Sequence, residues 1–220
     1  VTAATEQPFS LVLALALLGL LPFIFMSLTA FVKISTVLQI TKSAIGAQSV
    51  PSNTVVMALA AALTLLAMAP VGDTISQRVA TALSENKPTA QLAADLYEAA
   101  AEPLRNFLKA NAAPRETQRF FQLARAARPA DSRDAVTNDD FAVVIPAFMV
   151  TELIEAFALG FAIFLPFLVL DIVVGNVLMA LGMQMMNPTQ VSLPFKLLLF
   201  VAADGWGLLA QALVTGYRTG

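Results

Sequence analysis

Apolar and polar positions divide the chain into three blocks. No charged residue occurs from Gln7 to Val32 or from Ser43 to Gly72, whereas 19 of the 28 charged residues lie between Asp73 and Asp140. The order is apolar, hydrophilic, apolar. A membrane-spanning helix needs about 20 apolar residues, and the first run meets that length. Pro22 lies inside it and predicts a kink, because proline removes a backbone donor. A second run from about Asn53 to Val71 starts at Pro51-Ser52-Asn53, a helix-start pattern. Lys33 and Lys42, with no acid between the runs, read as a short basic loop. Such a loop favours the cytoplasmic side, which places the N-terminus and the region after Gly72 outside.

The hydrophilic middle keeps helical spacing at Ile75, Val79 and Leu83, at Leu92 and Leu96, and at Leu104, Phe107 and Leu108. A further amphipathic stretch carries Arg119, Phe120, Phe121 and Leu123. These apolar stripes need a partner surface. The stretch Pro129 to Asp140 (PADSRDAVTNDD) reads as a flexible linker. From Ala156 to Met186 Asp171 is the sole charge. As one helix this stretch would run roughly 46 Å, beyond the ~30 Å hydrocarbon core. Either it projects from the bilayer or it bends, with Pro166 and Gly175 as bend points. Gly182 and Asn187-Pro188 bracket a tight turn. The expected unit is therefore a helical hairpin with Met183, Gln184, Met185 and Met186 at its tip. The expected fold is an all-α membrane protein of hairpins with kinked helices. Its parts are an N-terminal apolar hairpin (1–72), a hydrophilic, mainly helical region with a linker (73–140) and a C-terminal apolar hairpin (141–220).

Composition narrows the chemistry. The chain is 58% hydrophobic and 13% charged, against about 45–50% and 25% in soluble domains. The net charge of −2 makes no case for nucleic acid. With no cysteine and no histidine, thiolate chemistry and the commonest acid–base group and metal ligand are missing. There is no phosphate loop and no nucleophile–base arrangement, so neither an enzyme nor a cofactor is expected.

Charges in apolar segments are costly and seldom idle. Glu152, Glu155, Asp171, Lys196 and Asp204 are the candidates. Glu152 and Glu155 share a helix face, and Lys196 can offset one of them. They form either an ion path or ion pairs that fix packing. A proton-sharing Asp171–Asp204 pair, as in an intramembrane aspartyl protease, is a weaker reading. The methionine cluster is either core filler or, in an oligomer, a soft apolar ring that excludes water and ions. Pro22, Pro70, Pro146, Pro166, Pro188 and Pro194 load the apolar runs with helix breakers. These are tolerated at membrane depth only where protein or a cavity covers them, which argues for a subunit of an assembly.

The run GFAIFLPFLVLDIVVGNVLMALGMQMMNPTQVSLPFKLLLFVAADGW, Gly160 to Trp206, closely resembles the FliP/SctR family of type III secretion export-gate proteins. FVKIS (Phe31 to Ser35), VPSN (Val50 to Asn53) and EPLRNFL (Glu102 to Leu108) fit as well, as does the order of spans. The resemblance covers nearly the whole chain. It implies a pentamer in the bacterial inner membrane, joined by two smaller or related export proteins and by the large export-gate protein. The assembly would be a closed, right-handed helical cone around a channel for unfolded substrates, lifted toward the periplasm. It further implies that Met183, Met185 and Met186 form a gasket, with Gln184 where many relatives carry methionine, and that Glu152 and Lys196 form an intersubunit salt bridge. The chain begins eight residues before its first apolar run, which resembles the injectisome branch more than the flagellar one.

Overall fold

The structure is a computed structural model that describes residues 6–46, 51–84 and 88–218. Val50 of the VPSN motif and the first five residues of the N-terminal segment lie outside the described residues. Among those described the fold is all-helical. The helices are α1 (Glu6–Leu28), α2 (Phe31–Ile45), α3 (Asn53–Ser84), α4 (Thr89–Asn111), α5 (Pro114–Ala126), α6 (Phe141–Ala180), α7 (Pro188–Ala202) and α8 (Gly205–Thr215). Two of them, α3 and α6, are long and apolar enough to cross a membrane. Two bent pairs also qualify if each is one span: Leu18–Leu28 with α2, bent by 76°, and α7 with α8, bent by 57°.

The N-terminal block departs from the expected hairpin. The residues around Lys33 and Lys42 are not a loop but helix α2. Nor does the chain turn at Pro22, which stays inside α1. It turns after Leu28, where hydroxyls take over carbonyls of the preceding turn. Ser27 Oγ donates to the Phe23 carbonyl at 2.8 Å, and Thr29 Oγ1 to the Phe25 carbonyl at 2.5 Å. Such back-bonding competes with the main-chain ladder and bends helices. Phe25 and Phe31 pack across the elbow with ring centroids 5.4 Å apart.

Helix α6 answers the length question: Phe141–Ala180 is one 40-residue helix running through Pro166 and Gly175, about 60 Å long. The core gathers around α2, whose Ile34, Val37 and Leu38 share one apolar cluster with Val56 and Ala60 of α3, Phe107 and Leu108 of α4 and Phe148 and Ala156 of α6. Gly160 lets α2 come close, since a Cβ there would stand 2.6 Å from Ile40 Cδ1. Among the described residues helix α1 joins the core through Phe25, Met26 and Leu28, while Leu15, Leu18, Leu20, Leu21 and Phe23 are exposed.

The hydrophilic middle does not begin at a helix boundary, because α3 continues through Gly72 to Ser84. Its amphipathic stripe finds its partner surface at Phe107 and Leu108, whereas Leu83 and Leu123 stay exposed. The stretch after Pro129 is a folded loop rather than a flexible linker. It holds a short 3-10 turn at Ala130–Ser132 and a buried Val136. Ion pairs Arg125–Asp134 (2.8 Å) and Lys109–Asp139 (2.6 Å) fix it to α5 and α4. Asp140 accepts from the Thr137 hydroxyl (2.7 Å) and backbone N–H (3.2 Å). Those bonds hold its carboxyl below the usual carboxylate range. The sequence shows many charges here but not that they pair with one another.

Candidate functional site

The tip between α6 and α7 is built by local rules. Gly182, at φ +75°, stops α6. Its N–H bonds the Met179 carbonyl (3.0 Å) and the Met183 N–H bonds the Leu178 carbonyl (2.9 Å). This is the paired C-terminal pattern that favours glycine in the left-handed position. On the other side Asn187 Oδ1 accepts from the Thr189 N–H at 3.0 Å, with Pro188 in the first turn of α7. That is the helix start expected of Asn-Pro. Between these stops stand Met183, Gln184, Met185 and Met186. Met185 is 100% exposed, Met183 and Met186 43% each. Within the chain the methionines therefore do not fill a core.

Two charge clusters lie behind the tip. In the first, Lys33 of α2 reaches Glu152 Oε1 at 3.0 Å and Glu155 Oε2 at 2.8 Å. Glu152 is fully buried, while Glu155 is half exposed. The Tyr217 hydroxyl donates to Glu152 Oε2 and lies 3.1 Å from the Ala30 carbonyl. The Lys33 ammonium also stands 4.1 Å from the Tyr217 ring centroid, within cation–π range. In the second cluster, Lys196 of α7 pairs with Asp171 of α6 at 2.7 Å and donates to the Ala44 carbonyl at 3.3 Å. Ser192 donates to the other Asp171 oxygen. Buried charges are tolerable only when paired and hydrogen-bonded, and both clusters meet that condition inside one chain.

Glu152 and Lys196, expected as an intersubunit pair, do not meet within one chain. Each is buried on its own intrachain partner, Lys33 and Asp171. The hydrogen bonds to Asp171 come from Ser192 and Lys196, one on each oxygen, and not from Asp204. Glu152 and Asp171 stand 19 residues apart on α6, about 28 Å, so they do not form a chain of carboxylates. Asp204 sits at the α7–α8 bend with φ +49°, its carboxylate over Gly207, where an added Cβ would lie 2.4 Å from Oδ2. No group of acidic side chains able to hold a metal ion occurs among the described residues.

Sequence reasoning missed Lys33 and Tyr217 as members of the first cluster. Lys33 carried a signal, because FVKIS offers a cation among apolar residues with no acid within a helical turn. Tyr217 carried none.

Much apolar surface is left uncovered. Only 11% of the most apolar window of α6 is buried within the chain, and Phe157, Phe161, Val169 and Ile172 all face outward. This surface needs lipid or other subunits. The FliP family model matches residues 14–213. The chain belongs to the FliP family. It is 41% identical over 208 residues to the pathogenicity-related ORF2 of Xanthomonas campestris pv. glycines, covering 94% of this chain and 96% of that protein. It is 38% identical over 208 residues to the Yop proteins translocation protein R of Yersinia pestis, covering 94% and 95%. It is 36% identical over 207 residues to the flagellar biosynthetic protein FliP of Bacillus subtilis, covering 94% and 90%. FliP membership and the apolar helices together make it a membrane protein of the type III secretion and flagellar export apparatus.

Proposed function

We propose that this FliP-family chain is a core subunit of the type III export gate in the bacterial inner membrane. Several copies, a pentamer by family resemblance, surround the path of unfolded export substrates. They assemble with the two small export-gate membrane proteins and the large export-gate protein into a helical cone that projects toward the periplasm. Met183, Met185 and Met186 close the path as a gasket. The observation that carries this reading is the tip itself: three methionines on a two-ended turn, exposed rather than packed. Unbranched thioethers make an apolar closure that yields to varied side chains, and narrow apolar constrictions exclude water and ions. The wide apolar face of α6 supports burial against neighbouring subunits.

The injectisome role is favoured over the flagellar one by the pathogenicity, secretion and translocation names borne by relatives at 38–41% identity. The charge clusters act as packing devices rather than as an ion path, since Glu152 is enclosed with Lys33 and the partly buried Asp171 is paired with the buried Lys196. Replacing Met183, Met185 and Met186 together with alanine tests the gasket. Assembly should persist while the membrane becomes leaky to ions or small molecules. A sealed membrane in cells that assemble the triple variant refutes the gasket.

A further inference from the structure

The segment after α8 does more than end a helix. Tyr217 is buried, and its ring packs against Phe107 of α4 at 5.8 Å between centroids. Its hydroxyl lies between Glu152 of α6 and the Ala30 carbonyl at the α1–α2 elbow. The next residue is held twice by one side chain: the Arg218 N–H donates to Asn111 Oδ1 at 3.0 Å, and Asn111 Nδ2 donates to the Arg218 carbonyl at 2.9 Å. A side-chain amide that mimics a strand partner in this way fixes the register of the segment it holds. Two consecutive residues thus tie the hydrophilic helix α4, the long helix α6 and the elbow together.

We propose that Tyr217-Arg218 is an internal strap and that Tyr217 is a positioning residue. By sharing its one hydroxyl proton between Glu152 and the Ala30 carbonyl, it sets the 76° elbow and so the direction in which α1 leaves the body of the subunit. The consequence rests on the export-gate reading: the exposed apolar side chains of α1 meet a neighbouring subunit only when α1 is aimed correctly. The elbow's other braces, the Thr29 back-bond and the Phe25–Phe31 contact, are local to α1 and α2. They stiffen the bend without referring it to α4, while Lys33 just past the elbow ties α2 to Glu152 and Glu155 of α6. Tyr217 supplies that reference.

The chain has no cysteine, so spin labels can be placed at the exposed positions Leu20 and Val169 by cysteine substitution. Distances between them are read by pulsed electron spin resonance on the full chain in nanodiscs. The unmodified strap should give one narrow distribution. Tyr217→Phe keeps the ring and removes only the hydroxyl, and Asn111→Ala loosens the strap from its other end. Each should broaden and shift the distribution with helicity unchanged, while Leu123→Ala, at an exposed position of α5, should leave it as it was. A folded Tyr217→Phe protein with the original narrow distribution overturns the strap. Tyr217→Ala is expected to give the largest shift, and if it does not fold, Tyr217→Phe and Asn111→Ala decide. In cells the same variants should lower the yield of the native-gel export complex. A displaced elbow with a normal complex overturns the link to assembly while leaving the export-gate reading intact.

Discussion

Replacing Lys33 with methionine isolates what the first charge cluster is worth. Methionine matches the lysine stem in length and stays apolar, so packing is largely kept and the charge is lost. Glu155 is half exposed and can turn to water, but Glu152 is fully enclosed and keeps only the Tyr217 hydroxyl. Removing one member of a buried pair costs about 3–5 kcal/mol, because the other charge remains without compensation. For a chain of this size that corresponds to a fall in Tm of about 6–20 °C, taking ~2–4 °C per kcal/mol. The double variant Lys33→Met/Glu152→Met removes both charges, and apolar replacement of a whole buried pair is often neutral. It should recover most of the loss, since the Tyr217 hydroxyl can still donate to Ala30. Thermal unfolding followed by circular dichroism in detergent measures all the variants of the cycle. A single variant within about 1 kcal/mol of the parent, the range of an exposed pair, would refute the reasoning. So would a double variant as unstable as the single one.

Charge reversal separates the pairings. Glu152→Lys should destabilise the isolated subunit, with Lys33→Glu restoring stability and Lys196→Glu not; rescue by Lys196→Glu in a melting assay would show that the intrachain partners are assigned wrongly. Asp171→Asn leaves the buried Lys196 without its carboxylate and should cost about 3–5 kcal/mol, read as lost assembly in native gels; full assembly with abolished secretion would instead revive an ion-coupled role. Gly205→Ala puts a Cβ 2.2 Å from the Phe200 ring and should cost about 1–3 kcal/mol as overpacking, whereas Gly72→Ala, with nothing within 4 Å, should stabilise α3 by about 0.5–1 kcal/mol; a denaturation comparison of the two checks both. Asp140, whose folded pKa is depressed by Thr137, stabilises the loop above the unfolded carboxylate range of about 3.9, and that contribution disappears as pH falls through the folded value; Asp140→Asn should therefore differ from the parent near neutral pH and match it in strong acid.

Local signals in the sequence read well. Gly182 and Asn187-Pro188 marked the tip because each terminates or starts a helix by its own backbone preference. The apolar runs marked α3 and α6 because length and hydropathy alone decide them. What failed depended on contacts made far along the chain. Pro166 and Gly175 read as points where α6 bends or projects, and neither ends it, because the helix continues through both. The acids of the loop after Pro129 looked like solvated linker residues because their partners, Lys109 and Arg125, lie on other elements. The intrachain partner of Glu152 was missed, because Lys33 stood hidden in a stretch read as a loop. Tyr217 could not be foreseen, because a single tyrosine after a helix has no pattern around it.

The length of α6 gives its two ion pairs a mechanical meaning. Glu152 and Asp171 pin one rod at two bearings about 28 Å apart, on either side of Pro166, the joint where a backbone hydrogen bond is missing. Pinned on both sides, that joint cannot act as a hinge while the pairs hold. Past Asp171 the rod continues for about 14 Å to the tip, with Gly175 against Pro188 of α7 and Leu178 buried. Under the export-gate proposal, a polypeptide that pushes the methionines aside would load the Asp171–Lys196 bearing first and the one at Glu152 last.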